Sequence, residues 1–473
     1  MKAQIVKTFA FALIIAAIFL PWCFNWELQG AIQEEESSLT NEDREKILQQ
    51  LYAPKISAID SILDFYKKHY SFNGNVLVAS KGQVLFNEAI GYADPRKRVE
   101  LRENEIYQLA SVSKQFTAMA VMILKERGLL SYEDTVTKYL DLPYEGITIH
   151  QLLTHSSGLP NYFWLVEHHW KKQRIPYNND VIALMNKHKL PLYFRPGSRY
   201  TYSNTGYIVL ASVVEEVSGE SFAHFLEKEI FEPLAMSNSF VYSAAKGKQH
   251  EKKLSGYYRW GRNYRLIPHT INDGAVGDKG IYSTAEDLYK WDRALYTSKL
   301  VSLQTLEEAY SQLILHGRYR INYGFGVRLK NMEEDKTVYH HGKWNGFRTS
   351  IMRFVDREQL IVILNNTNRS LNNRIIRSLD AVLKSDPELE MAVTIFNSLW
   401  TDEHYLIENK EERLFSNYNR NKLQKYLKEI EQFLRNEEEY RSIEKLKFFT
   451  DDLKEDDINK ITPAYSFSAV SNK

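Results

Sequence analysis

The sequence predicts an α+β fold in which helices flank an antiparallel sheet, with a helical subdomain and a C-terminal helical extension. Two observations lead to this prediction. Apolar runs at residues 76–79 and 84–86 flank the polar sequence Ser-Lys-Gly-Gln, which is typical of a β-hairpin. Strand-like runs return only late in the chain, after helical patterns and loops from 147 to about 300. We therefore expect the early hairpin and the late strands to share one sheet.

The other elements follow in chain order. After the hairpin, residues 113–127 have a helical pattern that Gly128 ends. The latter half of this helix is apolar on all sides, which predicts a central, buried position. The late strands are expected at residues 323–329, 337–340, 347–354 and 360–364, with a turn at 356–358.

The composition excludes several classes of protein. The chain has 473 residues, of which 44% are apolar and 13% aromatic, and 61 Lys and Arg against 60 Asp and Glu leave a net charge of +1. A disordered chain would have fewer aromatic residues, and a multi-span membrane protein would not have a mean hydropathy of −0.43. Nucleic-acid binding needs a basic surface, so no nucleic-acid partner is expected.

A single cysteine, Cys23, limits the covalent and metal chemistry of the chain. It excludes an intrachain disulfide and any cysteine-ligated zinc or iron–sulfur site. The adjacent His168 and His169 lack the spacing of metal ligands, and His340 and His341 on one strand would point to opposite faces. No metal or cofactor is expected.

The N-terminus has the features of a targeting segment. Lys2 and Lys7 precede an uncharged run from 8 to 26, whose apolar part has the length of a secretory h-region. We expect residues 1–26 to be a signal peptide or an N-terminal membrane anchor. The protein would then be exported to the periplasm or cell envelope, with possible membrane contact at this end. The alternative is a buried helix of the fold.

Three further parts are predicted along the chain. Residues 27–58 would form a linker, residues 59–384 the main domain and residues 385–473 a helical extension. The extension shows no recognisable chemistry. Its apolar residues recur at helical spacing and predict an amphipathic helix that packs on the main domain or on a partner: Leu423, Tyr426, Leu427, Ile430, Phe433 and Leu434.

The first candidate motif is Ser111-Val112-Ser113-Lys114, at the start of the predicted apolar helix. Its spacing places a serine and a lysine on one face, one turn apart. A serine hydroxyl needs a nearby base to act as a nucleophile, and a buried lysine can lose its proton and serve as that base. The pattern is short and recurs at Ser243…Lys246 and Ser442…Lys445, which do not open an apolar helix.

The second candidate motif is Tyr202-Ser203-Asn204. Such a loop can aim a phenol and an amide into a cleft, where the phenol carries a proton between nucleophile and leaving group and the amide binds a substrate carbonyl. The alternative is a polar turn with a packed tyrosine, as in the similar sequence Tyr177-Asn178-Asn179.

The third candidate motif is His340-His341-Gly342-Lys343, at the end of a predicted strand. The glycine would let a substrate backbone lie against the strand. The amides of Lys343 and Ser111 could then converge as an oxyanion hole. The alternative is a solvated histidine at the end of a surface strand.

In the order Ser–x–x–Lys, Tyr–x–Asn and His–His–Gly, the three motifs resemble those of the serine β-lactamase and penicillin-binding-protein superfamily, most of all its class C β-lactamase and carboxylesterase branch. The resemblance covers roughly residues 59–384 and implies a β-lactamase/transpeptidase-like fold. Further stretches similar to that family are FNGNVLVASKGQVLFNEAIGYAD, ITIHQLLTHSSGL, FRPGSRYTYSNTGYIVLASVVEEVSG, FEPLAMSNS and GDKGIYSTAEDLYKW.

The resemblance implies roles for the residues of the first two motifs. Ser111 would be the acylated nucleophile and Lys114 its base. Tyr202 would be the proton shuttle, and Asn204 would contact the substrate.

In the third motif, His340 stands where the family often has lysine, and it is implied to help hold the phenolate or the substrate. The exchange removes a permanent cation that could bind a substrate carboxylate, which counts against β-lactamase and carboxypeptidase activity. Gly342 and Lys343 are implied to bind substrate, with the Lys343 amide completing an oxyanion hole with that of Ser111. Ala110 stands where a glycine is common, and this small change is expected to be tolerated.

The resemblance thus predicts an exported serine hydrolase that acts through a Ser111 acyl-enzyme on ester, D-amino peptide or lactam substrates. An esterase or peptidase is favoured over a true β-lactamase, and the partner would be a small-molecule or peptidoglycan-derived substrate. The alternative is a catalytically silent protein of this fold that binds cell-wall peptides or a protein partner. An α/β-hydrolase would need a Gly–x–Ser–x–Gly elbow, which the sequence lacks.

Overall fold

A computed structural model describes residues 41–242, 253–261, 263–400 and 420–436. They form two compact units, a large one of residues 53–385 and a small one that comprises residues 41–52 and the part described from 386 onwards. The predicted signal peptide or anchor, with Cys23, lies outside the described residues. Among the helices of the described part, none combines the length and the apolar character that a membrane crossing requires.

The helices and strands have the following bounds. The α-helices are α1 (Asn41–Tyr70), α2 (Lys114–Glu126), α3 (Ile149–Leu153), α4 (Tyr162–His169), α5 (Asn178–His188), α6 (Asn204–Ser218), α7 (Phe222–Leu226), α8 (Ala285–Ala294), α9 (Leu303–Ala309), α10 (Asn372–Lys384), α11 (Pro387–Trp400) and α12 (Arg420–Asn436). Short 3₁₀ turns are Ala110–Ser113, Val136–Lys138 and Ile271–Asp273, and a π-helical turn is Glu227–Phe231. The strands are β1 (Gly74–Ser80), β2 (Gln83–Ile90), β3 (Tyr92–Asp94), β4 (Val99–Glu100), β5 (Tyr107–Gln108), β6 (Phe240–Val241), β7 (Tyr257–Trp260), β8 (Asn263–Leu266), β9 (Ile281–Ser283), β10 (Leu313–Leu315), β11 (Tyr319–Ile321), β12 (Arg328–Lys330), β13 (Thr337–Trp344), β14 (Phe347–Phe354) and β15 (Gln359–Asn365).

The main sheet joins the two ends of the large unit. Its strand order is β12-β13-β14-β15-β1-β2, and every neighbouring pair is antiparallel. Every residue of β1 and β15 is buried, so both faces of the sheet centre are covered. Helix α8 contacts β1 and β15, and α10 contacts β14 and β15. The predicted α+β fold with an early hairpin and a late meander is confirmed.

One predicted strand is wrong over most of its length. Strand β12 covers only Arg328–Lys330, whereas the pattern predicted residues 323–329. Gly324 and Gly326 explain the difference, because both let the backbone pass close to a neighbour. A Cβ at Gly324 would lie 2.0 Å from the carbonyl oxygen of Ala309, and a Cβ at Gly326 would lie 2.6 Å from that of Lys114. The segment 323–327 therefore packs against the backbone of Ala309 and Lys114 and does not extend the edge strand of the sheet.

The predicted linker is helical in its second half. Helix α1 begins at Asn41, and Ile47, Leu48, Leu51 and Tyr52 are buried at helical spacing. The linker prediction for 27–58 is therefore wrong from residue 41 onwards.

The small unit contains the helix predicted near the C-terminus. Leu423, Leu427 and Ile430 of α12 are buried, and α12 contacts α11. Tyr426 donates a hydrogen bond to Asp386 at 2.6 Å. The predicted positions Phe433 and Leu434 lie within this helix, but their side chains are outside the described part of the structure.

Helix α2 occupies the core of the large unit, as its apolar sequence predicts. All residues from Lys114 to Leu124 are buried. The helix packs against α6 and α7, and the ring of Phe116 lies 4.3 Å from that of Trp291. The 3₁₀ turn that precedes α2 contacts β13 and β14. The first and third sequence motifs are thereby brought together at the sheet.

Candidate active site

Ser111 lies in the 3₁₀ turn Ala110–Ser113, directly before α2. Its neighbours Ala110 and Val112 are buried, whereas Ser111 itself is partly exposed. Ala110 has φ of 51°, in the left-handed region that favours glycine. This turn therefore carries backbone strain immediately before the candidate nucleophile.

Lys114 follows Ser111 by one turn and is fully buried. Its Nζ donates hydrogen bonds to Asn204 Oδ1 at 2.8 Å and to the carbonyl oxygen of Asp278 at 2.7 Å, and lies 3.4 Å from Ser111 Oγ. Burial lowers the pKa of Lys114 to about 7; the charge of Asp278 acts to raise it, and that of Arg328 lowers it further. A lysine in this state is partly neutral near pH 7 and can accept the Ser111 proton.

The second motif approaches Lys114 from the start of α6. Ser203 caps this helix by accepting a hydrogen bond from the Gly206 amide, and Asn204 is its first residue. The ring centroid of Tyr202 lies 4.9 Å from Lys114 Nζ. The Tyr202 hydroxyl is buried and lacks a hydrogen bond within the described residues. Burial raises the Tyr202 pKa, and the nearby Ser111 hydroxyl partly offsets that shift, so the phenol stays protonated at neutral pH.

His155 belongs to none of the three motifs, but it contacts the second motif. Its Nδ1 accepts a hydrogen bond from the Ser203 amide at 3.0 Å, which makes the ring a neutral Nε2–H tautomer. The ring centroid lies 4.3 Å from that of Tyr202 and 4.5 Å from that of Tyr323. Burial holds the His155 pKa well below its usual range. His155 thus fixes the loop that carries Tyr202, and its φ of 60° marks a sharp backbone turn.

His340 is buried instead of facing the cleft as a free group. Its Nδ1 donates to the carbonyl oxygen of His341 at 2.8 Å, so Nε2 accepts from the Tyr323 hydroxyl at 3.3 Å. Burial, with the charge of Lys114 as a second cause, holds its pKa well below the usual range. The ring centroid lies 6.2 Å from that of Tyr202. This geometry differs from the expectation that His340 holds phenolate or substrate directly, because both of its ring nitrogens already have hydrogen-bond partners.

A glycine is needed at position 342 because the turn that carries Ser111 packs directly against it. A Cβ at Gly342 would lie 2.3 Å from the carbonyl oxygen of Leu109 and 3.0 Å from Ala110 Cβ. Thr349, its partner on β14, donates to the same Leu109 carbonyl at 2.6 Å. Gly342 therefore leaves room for the turn Ala110–Ser113 to pack against β13. A substrate backbone had been expected at this place. Lys343, the next residue, is exposed.

Arg328 is a second group that the motifs did not indicate. Its guanidinium carbon lies 5.5 Å from the ring centroid of Tyr202 and 5.9 Å from that of Tyr323. No carboxylate forms an ion pair with it in the described part of the chain. Its charge lowers the pKa of Lys114, His340 and His341. Among the described residues, Arg328 is thus a cation beside Tyr202 without an acidic partner.

Of the competing motifs, Tyr177-Asn178-Asn179 is the one that falls within the described residues. Ser243…Lys246 and Ser442…Lys445 lie outside the described residues. Asn178 uses its amide in two hydrogen bonds with the backbone of Val276, as expected for a structural residue. Within the described ranges, no group of three or more His, Cys, Asp and Glu side chains has the arrangement of a metal site.

The assembled groups suit acyl transfer. The Ser111 hydroxyl lies beside a buried lysine with a lowered pKa, and the ring of the protonated Tyr202 phenol lies beside the same lysine, next to a cleft of about 250 Å³. The cleft is lined by Tyr202, Asn204 and residues of two neighbouring loops, among them Asn161, Tyr193 and Phe194. A nucleophile with its base and a proton donor is the minimum that such a reaction requires.

Comparison with known proteins gives consistent matches. The family model described as Beta-lactamase matches residues 59–383. Penicillin-binding protein 4* of Bacillus subtilis is 32% identical over 347 residues, which are 70% of this chain and 76% of that protein. A crystal structure of a penicillin-binding protein from Bacillus halodurans aligns with a TM-score of 0.61 and 26% identity, over 68% of this chain and 98% of that one. The octameric penicillin-binding protein homologue from Pyrococcus abyssi aligns with the same TM-score and identity, over 69% of this chain and 77% of that one.

Proposed function

This chain belongs to the Beta-lactamase family and is a serine hydrolase, and we propose that it works through an acyl-enzyme on Ser111. Lys114 is the general base, Tyr202 the proton shuttle and Asn204 a contact for the substrate. The observation that supports this assignment best is the position of Lys114 Nζ, 3.4 Å from Ser111 Oγ and without a carboxylate hydrogen-bonded to it among the described residues.

The proposed acylation begins when neutral Lys114 takes the hydroxyl proton of Ser111. Oγ then attacks the substrate carbonyl carbon, and the carbonyl electron pair moves to its oxygen. The amides of Ser111 and Lys343 stabilise this oxyanion. When the intermediate collapses, the bond to the leaving group breaks and Tyr202 supplies the proton that the leaving alcohol or amine needs. The proton held by Lys114 restores Tyr202.

In deacylation the same groups act in the opposite direction, because Tyr202 and Lys114 now accept a proton from water. Water attacks the acyl ester, loses its proton to the Tyr202–Lys114 pair and releases the acid, while Ser111 recovers its proton. His340 does not touch the reacting atoms in this scheme. It acts as a positioning residue, since it holds Tyr323 beside the ring of His155.

We propose that the substrate is a peptide or ester that carries a carboxylate near the scissile bond. The support is Arg328, which lies beside Tyr202 without an acidic partner in the described part of the chain. A guanidinium can bind a carboxylate through two hydrogen bonds. Arg328 would replace the cation lost where His340 stands in place of lysine. This proposal also agrees with the comparisons, because relatives of this chain are named penicillin-binding proteins.

The acyl-enzyme is tested by covalent labelling. A fluorophosphonate or penicillin probe should label the wild-type protein and the Ser243→Ala variant, which removes the competing Ser243…Lys246 pattern, but should not label Ser111→Ala. Labelling of Ser111→Ala at the wild-type rate would place the nucleophile elsewhere. If correctly folded wild-type protein takes up neither probe, the catalytically silent binder becomes the better interpretation.

The carboxylate preference is tested with matched substrates. Two aryl esters should be compared that differ only in a terminal carboxylate or carboxamide. We expect wild-type kcat/KM to favour the carboxylate by about tenfold or more, as one charged hydrogen-bonded contact allows, and Arg328→Gln to remove this preference. An unchanged preference in Arg328→Gln would exclude this residue as the anion-binding group.

We also propose that the protein is exported to the periplasm or cell envelope and that residues 1–26 direct this export. The support is the pair of lysines before an uncharged run of secretory length. A fusion of residues 1–58 to a reporter that is active only outside the cytoplasm should be active. The same fusion with two aspartates inserted in the apolar run should be silent, and equal activity of both would refute the proposal.

A further inference from the structure

A second buried lysine lies next to the catalytic candidates and has no part in the proposed reaction. Lys279 is 3% exposed, and its Nζ donates to the Tyr162 hydroxyl at 3.0 Å and to the carbonyl oxygen of Ala275 at 2.8 Å. It also forms an ion pair with Asp278 Oδ1 at 3.6 Å. Asp278 is 1% exposed and accepts a hydrogen bond from Tyr162 on Oδ2 at 3.3 Å. The two residues form an ion pair that is removed from solvent.

This pair is connected to Lys114 through the backbone. The carbonyl oxygen of Asp278 accepts a hydrogen bond from Lys114 Nζ at 2.7 Å. The side chain of the same residue is therefore in the ion pair while its main chain orients the base. A change in the pair acts on Lys114 both through charge and through the position of this carbonyl.

The segment that carries the pair is hydrogen-bonded to α2 and to the 3₁₀ turn before it. Thr117 donates to the carbonyl oxygen of Gly277 at 2.7 Å, and the Ile281 amide donates to Ser113 Oγ at 3.2 Å. Gly277 has φ of 111°, and a Cβ there would lie 2.4 Å from the carbonyl oxygen of Tyr207. These contacts flank Asp278 and Lys279 on both sides, so the two side chains have little freedom to move away from Lys114.

We propose that the buried Asp278–Lys279 ion pair is a positioning device that sets the protonation of Lys114 and so the pH range in which the enzyme acylates. Asp278 favours the charged form of Lys114. Lys279 neutralises Asp278 in part and thereby limits that effect. This inference rests on the proposed function only in taking Lys114 as the base.

The charges around the two lysines support the direction of each effect. Asp278 acts to raise the pKa of both lysines, and the charge of Lys114 lowers the pKa of Lys279. Because the repulsion between two positive charges is mutual, Lys279 in turn disfavours the charged form of Lys114. Burial is the largest cause and lowers the pKa of each lysine. The titratable and charged groups that face the two lysines are Tyr202, Tyr207, Arg328, His155, His340, Tyr162 and Asp273.

The test measures the acylation rate against pH with the covalent probe, using three variants. In wild type the rate should rise with pH and reach half its maximum near the pKa of Lys114, about 7. Asp278→Asn should move this midpoint to lower pH, and Lys279→Met should move it to higher pH, each by about one unit. Lys279→Arg keeps the charge and should stay close to wild type.

A merely structural role predicts a different result. Loss of packing would reduce the maximal rate of both variants and leave the midpoint in place, so midpoints that do not move would overturn the inference. A shift of both midpoints in the same direction would also overturn it. Asp292→Asn is the matched control, because Asp292 belongs to another buried ion pair with Arg353 and should leave the midpoint unchanged.

Failure of the proposed function gives a separate signature. If wild-type protein is not labelled on Ser111 at any pH, the acyl-enzyme itself is refuted. If labelling occurs with unmoved midpoints, only the role of the ion pair is refuted. If Lys279→Met does not fold, the other two variants still test the inference. The midpoint of Asp278→Asn should lie at lower pH than that of Lys279→Arg, and equal midpoints would overturn the inference.

Discussion

Two of the buried basic side chains of the large unit, Lys114 and Arg353, are in opposite chemical states. Lys114, at the candidate site, has hydrogen-bond partners that carry no formal charge: a hydroxyl, an amide oxygen and a backbone carbonyl. Arg353, on β14, donates to the carboxylate of Asp292 at 2.6 Å and to the Tyr310 hydroxyl at 2.8 Å. Both side chains are at most 2% exposed.

The difference in pKa between Lys114 and Arg353 comes from their partners more than from their burial. Burial lowers the pKa of both groups, but Tyr310 and Asp292 outweigh it at Arg353 and raise its pKa. At Lys114 burial prevails, and the pKa falls to about 7. One cation is therefore held charged as part of the framework, while the other can release its proton at neutral pH and serve in catalysis.

The test with the largest expected effect replaces Lys114 by arginine, which stays charged as Arg353 does. In Lys114→Arg the guanidinium cannot deprotonate, so we expect acylation of Ser111 by the covalent probe to slow by about 10³-fold, within the range of a lost general base. Near-ultraviolet circular dichroism checks that the variant folds.

Lys125→Arg on the same helix is the matched control for this variant, because Lys125 lies at the helix end and pairs with Glu308. Its acylation rate should equal that of wild type. A Lys114→Arg rate within twofold of wild type would mean that the base is another group.

The second test removes the partner that keeps Arg353 charged. Asp292→Ala leaves a buried guanidinium without its carboxylate, and we expect the free energy of unfolding to fall by about 3–5 kcal/mol. Chemical denaturation measures this loss. The fraction that remains folded should still acylate at nearly the wild-type rate, and a rate reduced 100-fold or more would show that the two regions are not independent.

The third test concerns the proton donor beside Lys114. Tyr202→Phe keeps the ring and removes only the hydroxyl, so turnover should fall by about 10²-fold with little change in KM. Tyr200→Phe is the control, since Tyr200 lies in the same loop and its ring contacts that of His155. If Tyr202→Phe raised only KM, Tyr202 would be a binding residue.

The sheet could be predicted from the sequence because its signals are local. Alternating or continuous apolar runs gave β13, β14 and β15 to within a few residues, and the hairpin of β1 and β2 as well. Strand β12 was overestimated, because the close backbone contacts of Gly324 and Gly326 depend on Ala309 and Lys114, which are distant in sequence. The periodicity of apolar residues cannot predict contacts between residues that are distant in sequence.

The candidate site was predictable in its motifs and not in its supporting residues. Ser111, Lys114 and Asn204 meet as their spacing and order suggested. Arg328 belongs to none of the motifs, and Asp278 lies in a family-like stretch to which no role was assigned; each acts on Lys114 because the fold brings it there.

His340 and Ala110 show the same limit at the level of one residue. The sequence identifies a histidine in place of lysine, but only the fold shows that both ring nitrogens already have partners. Likewise, the φ of 51° at Ala110 gives a physical reason for the glycine that is common at this position in the family, since an alanine there is strained.

The last test concerns the contribution of Lys114 to the pH dependence of stability. Its pKa is about 7 in the folded protein and about 10.4 in an unfolded chain. Between these values the unfolded state binds more protons, so the free energy of unfolding of wild type should rise with pH relative to that of Lys114→Met. The expected slope of this difference is about 1.4 kcal/mol per pH unit from pH 7 to 10. Because Arg353 stays charged in both states, it contributes no slope in this range. Denaturation curves of the two proteins at pH 7, 8 and 9 measure the difference, and parallel curves would show that Lys114 is protonated throughout and cannot be the base.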